Sequence, residues 1–279
     1  MITKMTFGSR ANFHTHTFRC KHASGTVDDM CQAALAAGLD TLGFSDHGPF
    51  PDDRHTGSRM NFADVVEYVR EVEEAKAKYA GRLRVFLGFE ADYFPSLGKA
   101  FYEDLYFGRL HCDYLISGTH FIENGGPDIN LWSGGQDFGP AQVRRYIDVE
   151  TEALETGLFT YIAHPDMFSI RCAAMTPGIA DACRELLDAA ESLRVPLEVN
   201  AYGLRKPPIT LADGSTRPQY PWRAFWDLVR EHGGVRAVVG ADAHSPEDVW
   251  SNADAAIEWA AESGIEIENA LLAREMAAK

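Results

Sequence analysis

A chain of 279 residues, 46% of them hydrophobic, is long enough to bury a large α/β core. Its formal net charge of -15 and pI near 5.0 argue against a surface built to grip nucleic acid, which normally shows as a basic patch or stripe. Cys20, Cys31, Cys112, Cys172 and Cys183 form no C-x-x-C pair and read as reduced thiols. Residues 1–13 lack the apolar stretch of a signal peptide, and no run approaches the roughly 18 apolar residues of a spanning helix, so a cytoplasmic protein with no membrane partner is expected.

Short runs rich in β-branched and aromatic residues alternate with segments of helical period, the pattern of βαβ units around a parallel sheet. A strand over 11–16 precedes a helix over 27–37, closed by Gly38. The next strand, 41–47, leads through a polar stretch at 52–61 into a helix over 62–79, where Phe62, Val65, Val66, Val69 and Val72 form one apolar stripe. Strand 84–90 is followed by helix 99–107. Strand 114–120 and a polar stretch at 123–139 precede helix 140–156, which Gly157 stops. Strand 159–164 pairs with helix 179–193, and strand 196–200 runs through a proline-rich stretch at 203–221 into helix 222–232, closed by Gly233-Gly234. Strand 237–242 and helix 252–263 complete seven units. No low-complexity tract, repeat or linker divides the chain, so one domain over 1–279 is expected. In a barrel the three long stretches would lie over the rim, where insertions carry specificity.

The positions of the unusual polar residues carry the functional signal. His14 and His16 end the first strand, Asp46 and His47 the second, Glu90 the third, His120 the fourth and His164 the fifth, while Asp242 and His244 end the seventh. His22 lies in the loop after the first strand. A lone histidine at a strand end is more often a hydrogen-bonded structural residue than a ligand. Here only three of the ten histidines, His55, His111 and His232, fall outside the set. Parallel strands closed into a barrel bring their C-terminal ends to one rim, so these residues converge. Neutral imidazoles mixed with carboxylates suit Zn, Mn or Fe ions, whereas Ca or Mg sites are nearly all oxygen. His14 and His16, two apart on a strand, face the same way, and Glu90 is suited to bridge two ions.

The chain resembles the polymerase and histidinol phosphatase (PHP) superfamily. The resemblance rests on His14-Thr15-His16, Ser45-Asp46-His47-Gly48, Gly88-Phe89-Glu90-Ala91-Asp92-Tyr93, Ser117-Gly118-Thr119-His120-Phe121, Ala163-His164-Pro165-Asp166 and Gly240-Ala241-Asp242-Ala243-His244-Ser245, in the family's order along the whole domain. Within it, residues 20–25, the stretch ending at Pro95 and residues 200–205 look most like the stand-alone L-histidinol-phosphate phosphatases of histidine biosynthesis. The resemblance implies a distorted (β/α)7 barrel of TIM-like α/β class, with parallel strands and a metal site at the C-terminal rim. It further implies two or three divalent metal ions: His14, His16, Glu90 and Asp242 on a first, Glu90, His120 and His164 on a second, and His22, His47 and His244 on a third. Asp46 and Asp166 read as carboxylates that orient metal-bound imidazoles.

The activity so implied is hydrolysis of a small phosphomonoester, L-histidinol phosphate to L-histidinol and phosphate, by a hydroxide bridging two ions that attacks phosphorus in line. A metal-rich pocket would attract a phosphate dianion even inside an acidic protein. The sequence has no D-x-D pair, C-x5-R loop or R-H-G triad for a phosphoenzyme route. Glu90, Asp242 and His244 are the candidate catalytic residues, with Asp242 or His244 able to protonate the leaving group where not committed to metal. Arg205, Lys206 and Asn200 are candidates for substrate binding, with Tyr202 a weaker one. Phe50, Phe94, Phe121 and Phe168 either wall the pocket or pack loops onto the barrel. Other PHP substrates (nucleotides, nucleic-acid ends, another small phosphate ester), a non-catalytic metal-binding barrel and an amidohydrolase are the alternatives. No extended nucleic-acid contact is expected, and assembly as a homo-oligomer is left open by the residues.

Overall fold

Parallel pairing dominates the computed structural model, which describes residues 10–278; residues 1–9 and 279 of the expected domain lie outside the described residues. In chain order the elements are β1 (Ala11–Asn12), α1 (Val27–Ala36), β2 (Thr41–His47), α2 (Val65–Tyr79), β3 (Arg84–Ala91), α3 (Gly98–Tyr102, continued by a π-helical turn, Glu103–Arg109), β4 (Tyr114–Ser117), β5 (Phe121–Ile122), β6 (Ile129–Asn130) and α4 (Pro140–Glu155). There follow β7 (Phe159–Ile162), α5 (Pro177–Leu193), β8 (Leu197–Asn200), α6 (Tyr202–Arg205), β9 (Ile209–Thr210), β10 (Thr216–Arg217), α7 (Arg223–His232), β11 (Ala237–Gly240), α8 (Ala253–Glu262) and α9 (Asn269–Ala277).

Seven strands form one sheet in the order β1-β2-β3-β4-β7-β8-β11, each hydrogen-bonded neighbour parallel to the next. The two edges meet through a parallel bridge between Thr15 and Ala243, where the N–H of His16 donates to Ala243 O (2.9 Å) and that of Ala243 to His14 O (3.1 Å). The sheet is therefore a nearly closed α/β barrel of the expected seven strands. Because side chains alternate across each strand, one set fills the interior and the other packs under the helices. Phe13, Phe86, Tyr114, Ile116, Tyr161 and Val238 make the inner cluster, which Leu272, Ala273 and Met276 of α9 plug. That last helix is absent from the sequence expectation.

Local chemistry explains the element ends. Thr26 caps α1 in a reciprocal box with Asp29, satisfying two otherwise orphaned N–H groups. In α2 the buried face is Val65, Tyr68, Val72, Ala75 and Tyr79. Val66, placed on the apolar stripe from sequence, is instead 68% exposed, because it lies about 100° round the helix from Val65. The first strand is shorter than predicted, with the segment of His14 to His16 beyond it held to the last strand's end by the Thr15 bridge, and the fourth ends at Ser117, before His120. The long stretches at 123–139 and 203–221 each carry part or all of a small antiparallel hairpin, β5–β6 and β9–β10. No helix among the described residues is long and apolar enough to cross a membrane.

Candidate metal centre

All nine ligand candidates meet at the C-terminal rim, as parallel strands of one barrel require. Glu90 stands at the centre. Its Oε2 lies 3.4 Å from His14 Nε2, 3.4 Å from His16 Nε2 and 3.0 Å from His47 Nδ1, while Oε1 lies 3.6 Å from His120 Nε2 and 2.7 Å from His164 Nε2. Asp242 Oδ1 is 3.6 Å from His14 Nε2, 3.2 Å from His16 Nε2 and 3.3 Å from His244 Nδ1. His22, His47 and His244 form a further group whose ligand atoms all lie within 4.8 Å of one another, and His47 groups in the same way with Glu90 and His120. The two Nε2 atoms of His22 and His244 are 3.0 Å apart. Room for Glu90 comes from Gly118: a Cβ there would sit 2.1 Å from its Oε1.

Orphaned atoms test whether cations fit this arrangement. His14 Nε2, His16 Nε2, Glu90 Oε2 and Asp242 Oδ1 are buried with no hydrogen-bond partner among the described residues. An unsatisfied buried polar atom costs about 1–3 kcal/mol, so four converging on one point require an explanation. A zinc-like ion about 2.1 Å from four donors at tetrahedral corners would separate them by about 3.4 Å. The four separations recorded between the two histidines and the two carboxylates run from 3.2 to 3.6 Å. The donor set and its spacing fit a divalent cation.

Protonation follows the same crowding. Burial opposes charge on His14 and His16, yet Glu198, Asp242 and Glu90 hold His14 well above its ordinary value, and Asp242, Asp46 and Glu90 lift His16 to about 9. Burial would raise Glu90, but the imidazoles of His120, His14 and His47 keep it well below the usual carboxylate range; Asp242 is likewise depressed by His14, His16 and His244. His22 falls to about 4 through burial and the nearby His244 and His16. Burial and His16 also lower His47 and His244. Without cations the carboxylates thus draw protons onto His14 and His16, while the outer trio is neutral imidazole, the form that binds metal.

The cluster opens into a cavity of about 330 Å³, lined beyond the ligands by Gly57, Ser58, Arg59, Phe121, Asn130, Trp132, Tyr202 and Lys206. These come from all three long stretches or their edges. Lys206 Nζ lies 4.8 Å from the Trp132 ring and 4.2 Å from the Tyr202 ring and forms no ion pair among the described residues. Arg205 is not brought to the cavity. Its guanidinium donates to the carbonyls of Ser251, Ala241 and Asp242 at 2.9–3.0 Å and so braces the loop that carries Asp242. Asn200 is also turned toward the ligands, donating to Glu198 Oε2 (2.8 Å) and Asp242 Oδ2 (3.2 Å). Both side chains spend their polar atoms on the scaffold.

Of the carboxylates read as orienting groups, Asp46 accepts from the N–H and hydroxyl of Thr17 and stands 3.7 Å from His16 Nδ1. Asp166 is held elsewhere: it accepts from the N–H of Trp222 and from Trp226 Nε1, joining its loop to α7. Phe50, Phe94 and Phe168 are buried in packing, and of the four phenylalanines singled out Phe121 alone lines the cavity. Glu198, Glu150, Asp92 and Arg59 were not singled out, yet each is buried beside the cluster. A signal for two of them was present. Glu198 interrupts an apolar strand buried on both faces, and Glu150 shares a helical face with Val143, Tyr146, Ile147 and Leu154, positions where a charge needs a partner. Cys20 also approaches His16 and His244, but burial pushes its thiol far above the ordinary range and keeps it protonated.

A family model described as PHP domain matches residues 12–202. A protein of Deinococcus radiodurans named probable histidinol-phosphatase is 34% identical over 241 residues, covering 85% of this chain and 86% of its own. One of Schizosaccharomyces pombe with the same name is 21% identical over 260 residues, 86% of this chain and 82% of its own. Among solved structures, the histidinol phosphate phosphatase of Lactococcus lactis, complexed with zinc, L-histidinol and phosphate, superposes with a TM-score of 0.70 over 92% of this chain and 95% of that one, at 16% identity. The likeness to that last protein is one of fold.

Proposed function

From the premise that the chain belongs to the PHP domain family, we propose that it is a metal-dependent phosphatase that hydrolyses L-histidinol phosphate to L-histidinol and phosphate. The observation that carries this reading is the group of buried, unpartnered donors from His14, His16, Glu90 and Asp242, of which Glu90 and Asp242 line a cavity sized for a small ester. His14, His16, Glu90 and Asp242 would hold one cation, Glu90, His120 and His164 a second, and His22, His47 and His244 a third. Divalent cations held by these residues would supply positive charge for the phosphoryl oxygens and Lewis acidity to activate water at neutral pH.

The chain's own residues do the rest. Lys206, a cation at the cavity without an ion-pair partner among the described residues, meets the phosphate dianion as it enters. Phe121, Trp132 and Tyr202 flank the alcohol half of the ester and exclude water from it. Asp242 is ionised and His244 neutral at pH 7, by the shifts described above, which suits both to binding a cation better than to delivering a proton.

The test is a panel of phosphomonoesters, nucleotides and single-stranded DNA, assayed before and after chelation, with elemental analysis of the purified protein. Histidinol phosphate should be turned over far faster than the rest, EDTA should abolish turnover, and Mn, Zn or Fe should restore it. Full activity in metal-stripped protein would refute the metal-dependent reading, and equal turnover across the panel would refute the substrate.

A further inference from the structure

Beneath the ligand cluster lies a carboxylate that no sequence motif singled out. Glu198, in the middle of β8, is wholly buried, and both its oxygens are engaged. Oε1 lies 2.9 Å and Oε2 3.1 Å from His14 Nδ1; Oε2 also accepts from the N–H of His164 (3.1 Å) and from Asn200 Nδ2 (2.8 Å). The Asn200 amide in turn donates to Asp242 Oδ2 (3.2 Å). One side chain thus reaches the imidazole of His14, the backbone of His164 and, through an amide, the carboxylate of Asp242. These are ligand candidates that follow β1, β7 and β11.

We propose that Glu198 is a positioning residue that fixes His14 with its proton on Nδ1 and its Nε2 lone pair directed at the cation held with His16, Glu90 and Asp242. The inference rests on the metal-binding part of the function proposed above. A hydrogen bond from the imidazole to Glu198 places a proton on Nδ1, so when a cation takes the place of the second proton it is Nε2 that offers the lone pair. That Nε2 is one of the four orphaned atoms, 3.4 Å from Glu90 Oε2 and 3.6 Å from Asp242 Oδ1. An imidazole whose far nitrogen is tied to a carboxylate is held in one ring orientation and made a stronger donor. Space for this contact depends on the neighbouring strand: a Cβ at Gly240 would lie 1.7 Å from Glu198 Oε1 and 3.1 Å from His14 Cβ. Any larger residue at 240 must displace the carboxylate from His14 without changing its charge.

Metal-stripped wild type, Glu198→Gln and Gly240→Ala should be titrated with zinc, followed by elemental analysis after desalting and by thermal melts of the stripped forms. The expected result is zinc affinity weakened by about 10–100-fold in both variants, with stripped melting temperatures near wild type. Unchanged zinc affinity and stoichiometry overturns the proposal, as does a variant whose only defect is a lower melting temperature in the stripped form. Should both variants fail to fold, long-range proton–nitrogen NMR of the zinc-loaded wild type decides: a proton on His14 Nδ1 upholds the assignment and one on Nε2 overturns it. None of these readouts needs turnover. A chain that binds zinc as expected but hydrolyses no phosphomonoester defeats the phosphatase reading and leaves the role of Glu198 standing.

Discussion

Replacing Arg59 with methionine should expose how the cavity wall is held. Arg59 and Asp92 are each 1% exposed; the guanidinium lies 2.7 Å from Asp92 Oδ2, donates to Gly48 O (2.9 Å) and packs against the rings of Phe50 and Phe121. Asp92 Oδ1 meanwhile accepts from the N–H groups of His120 and Phe121, so this ion pair sets the backbone that presents one ligand and one cavity wall. Removing one partner of a buried pair leaves an uncompensated charge and costs about 3–5 kcal/mol. For a chain of this length that corresponds to a fall in melting temperature of about 5–8 °C. Asp92→Asn on top of Arg59→Met should recover much of the loss, because the amide oxygen still accepts from both N–H groups while the charge is gone. The pH dependence has a definite sign. In wild type, burial would raise Asp92, but Arg59 and His120 hold it well below the ordinary carboxylate range. Without Arg59 its folded pKa rises above the unfolded value of about 3.9, so the penalty is absent below that value and grows as pH rises. The gap between Arg59→Met and wild type should therefore narrow from pH 7 to pH 4 in denaturant melts. A gap that widens toward acid, or a double variant less stable than the single, refutes this account of the pair.

Other consequences are testable on the same protein. His164→Ala should lower kcat/KM for the phosphomonoester by orders of magnitude while its stripped form melts near wild type; a loss of only a few-fold removes His164 from the ligand set. Lys206→Met should raise KM about tenfold, near 1.4 kcal/mol, with kcat little changed. Arg205→Met should instead lower the melting temperature, since three carbonyls lose their donor, and a selective KM effect there would return it to the cavity. Zinc must displace the protons that His14 and His16 carry, the latter below about 9, so affinity should weaken by about tenfold per pH unit for each, about a hundredfold per unit in all, between pH 8.5 and 6.5, read by competition titration. Affinity independent of pH would exclude that exchange.

The convergence of the candidate ligands was legible from sequence because its signal is positional: all but His22 follow a short apolar run, and a parallel barrel sends every such end to one rim. What lies under them was less legible. Asp92 sits two residues beyond Glu90 and could have been read only as one more acid, since its partner Arg59 belongs to a loop with no period of its own. Glu198 and Glu150 carried a readable anomaly, charge on a buried face, but nothing in the chain names which strand end they serve. Arg205 misleads for a related reason. Position after a strand predicts proximity to the rim, not whether the side chain turns into the cavity or back onto the carbonyls of Ala241 and Asp242. Lys206, its neighbour, turns the other way.

The barrel's seam links this site to the fold. β1 and β11, the first and last strands of the sheet, meet through one bridge, Thr15–Ala243, and through Asn12, whose side-chain oxygen accepts from Ala241 N at 3.0 Å. The seam has few ladder bonds, and closing it brings together segments more than two hundred residues apart. The same seam carries His14 and His16 on one side and Asp242 and His244 on the other. A cation shared across it would bind only the closed barrel, so its binding free energy would add to the stability of that closure. Fold and chemistry are coupled there: residues that would hold a cation are the ones beside the join between the two ends of the sheet.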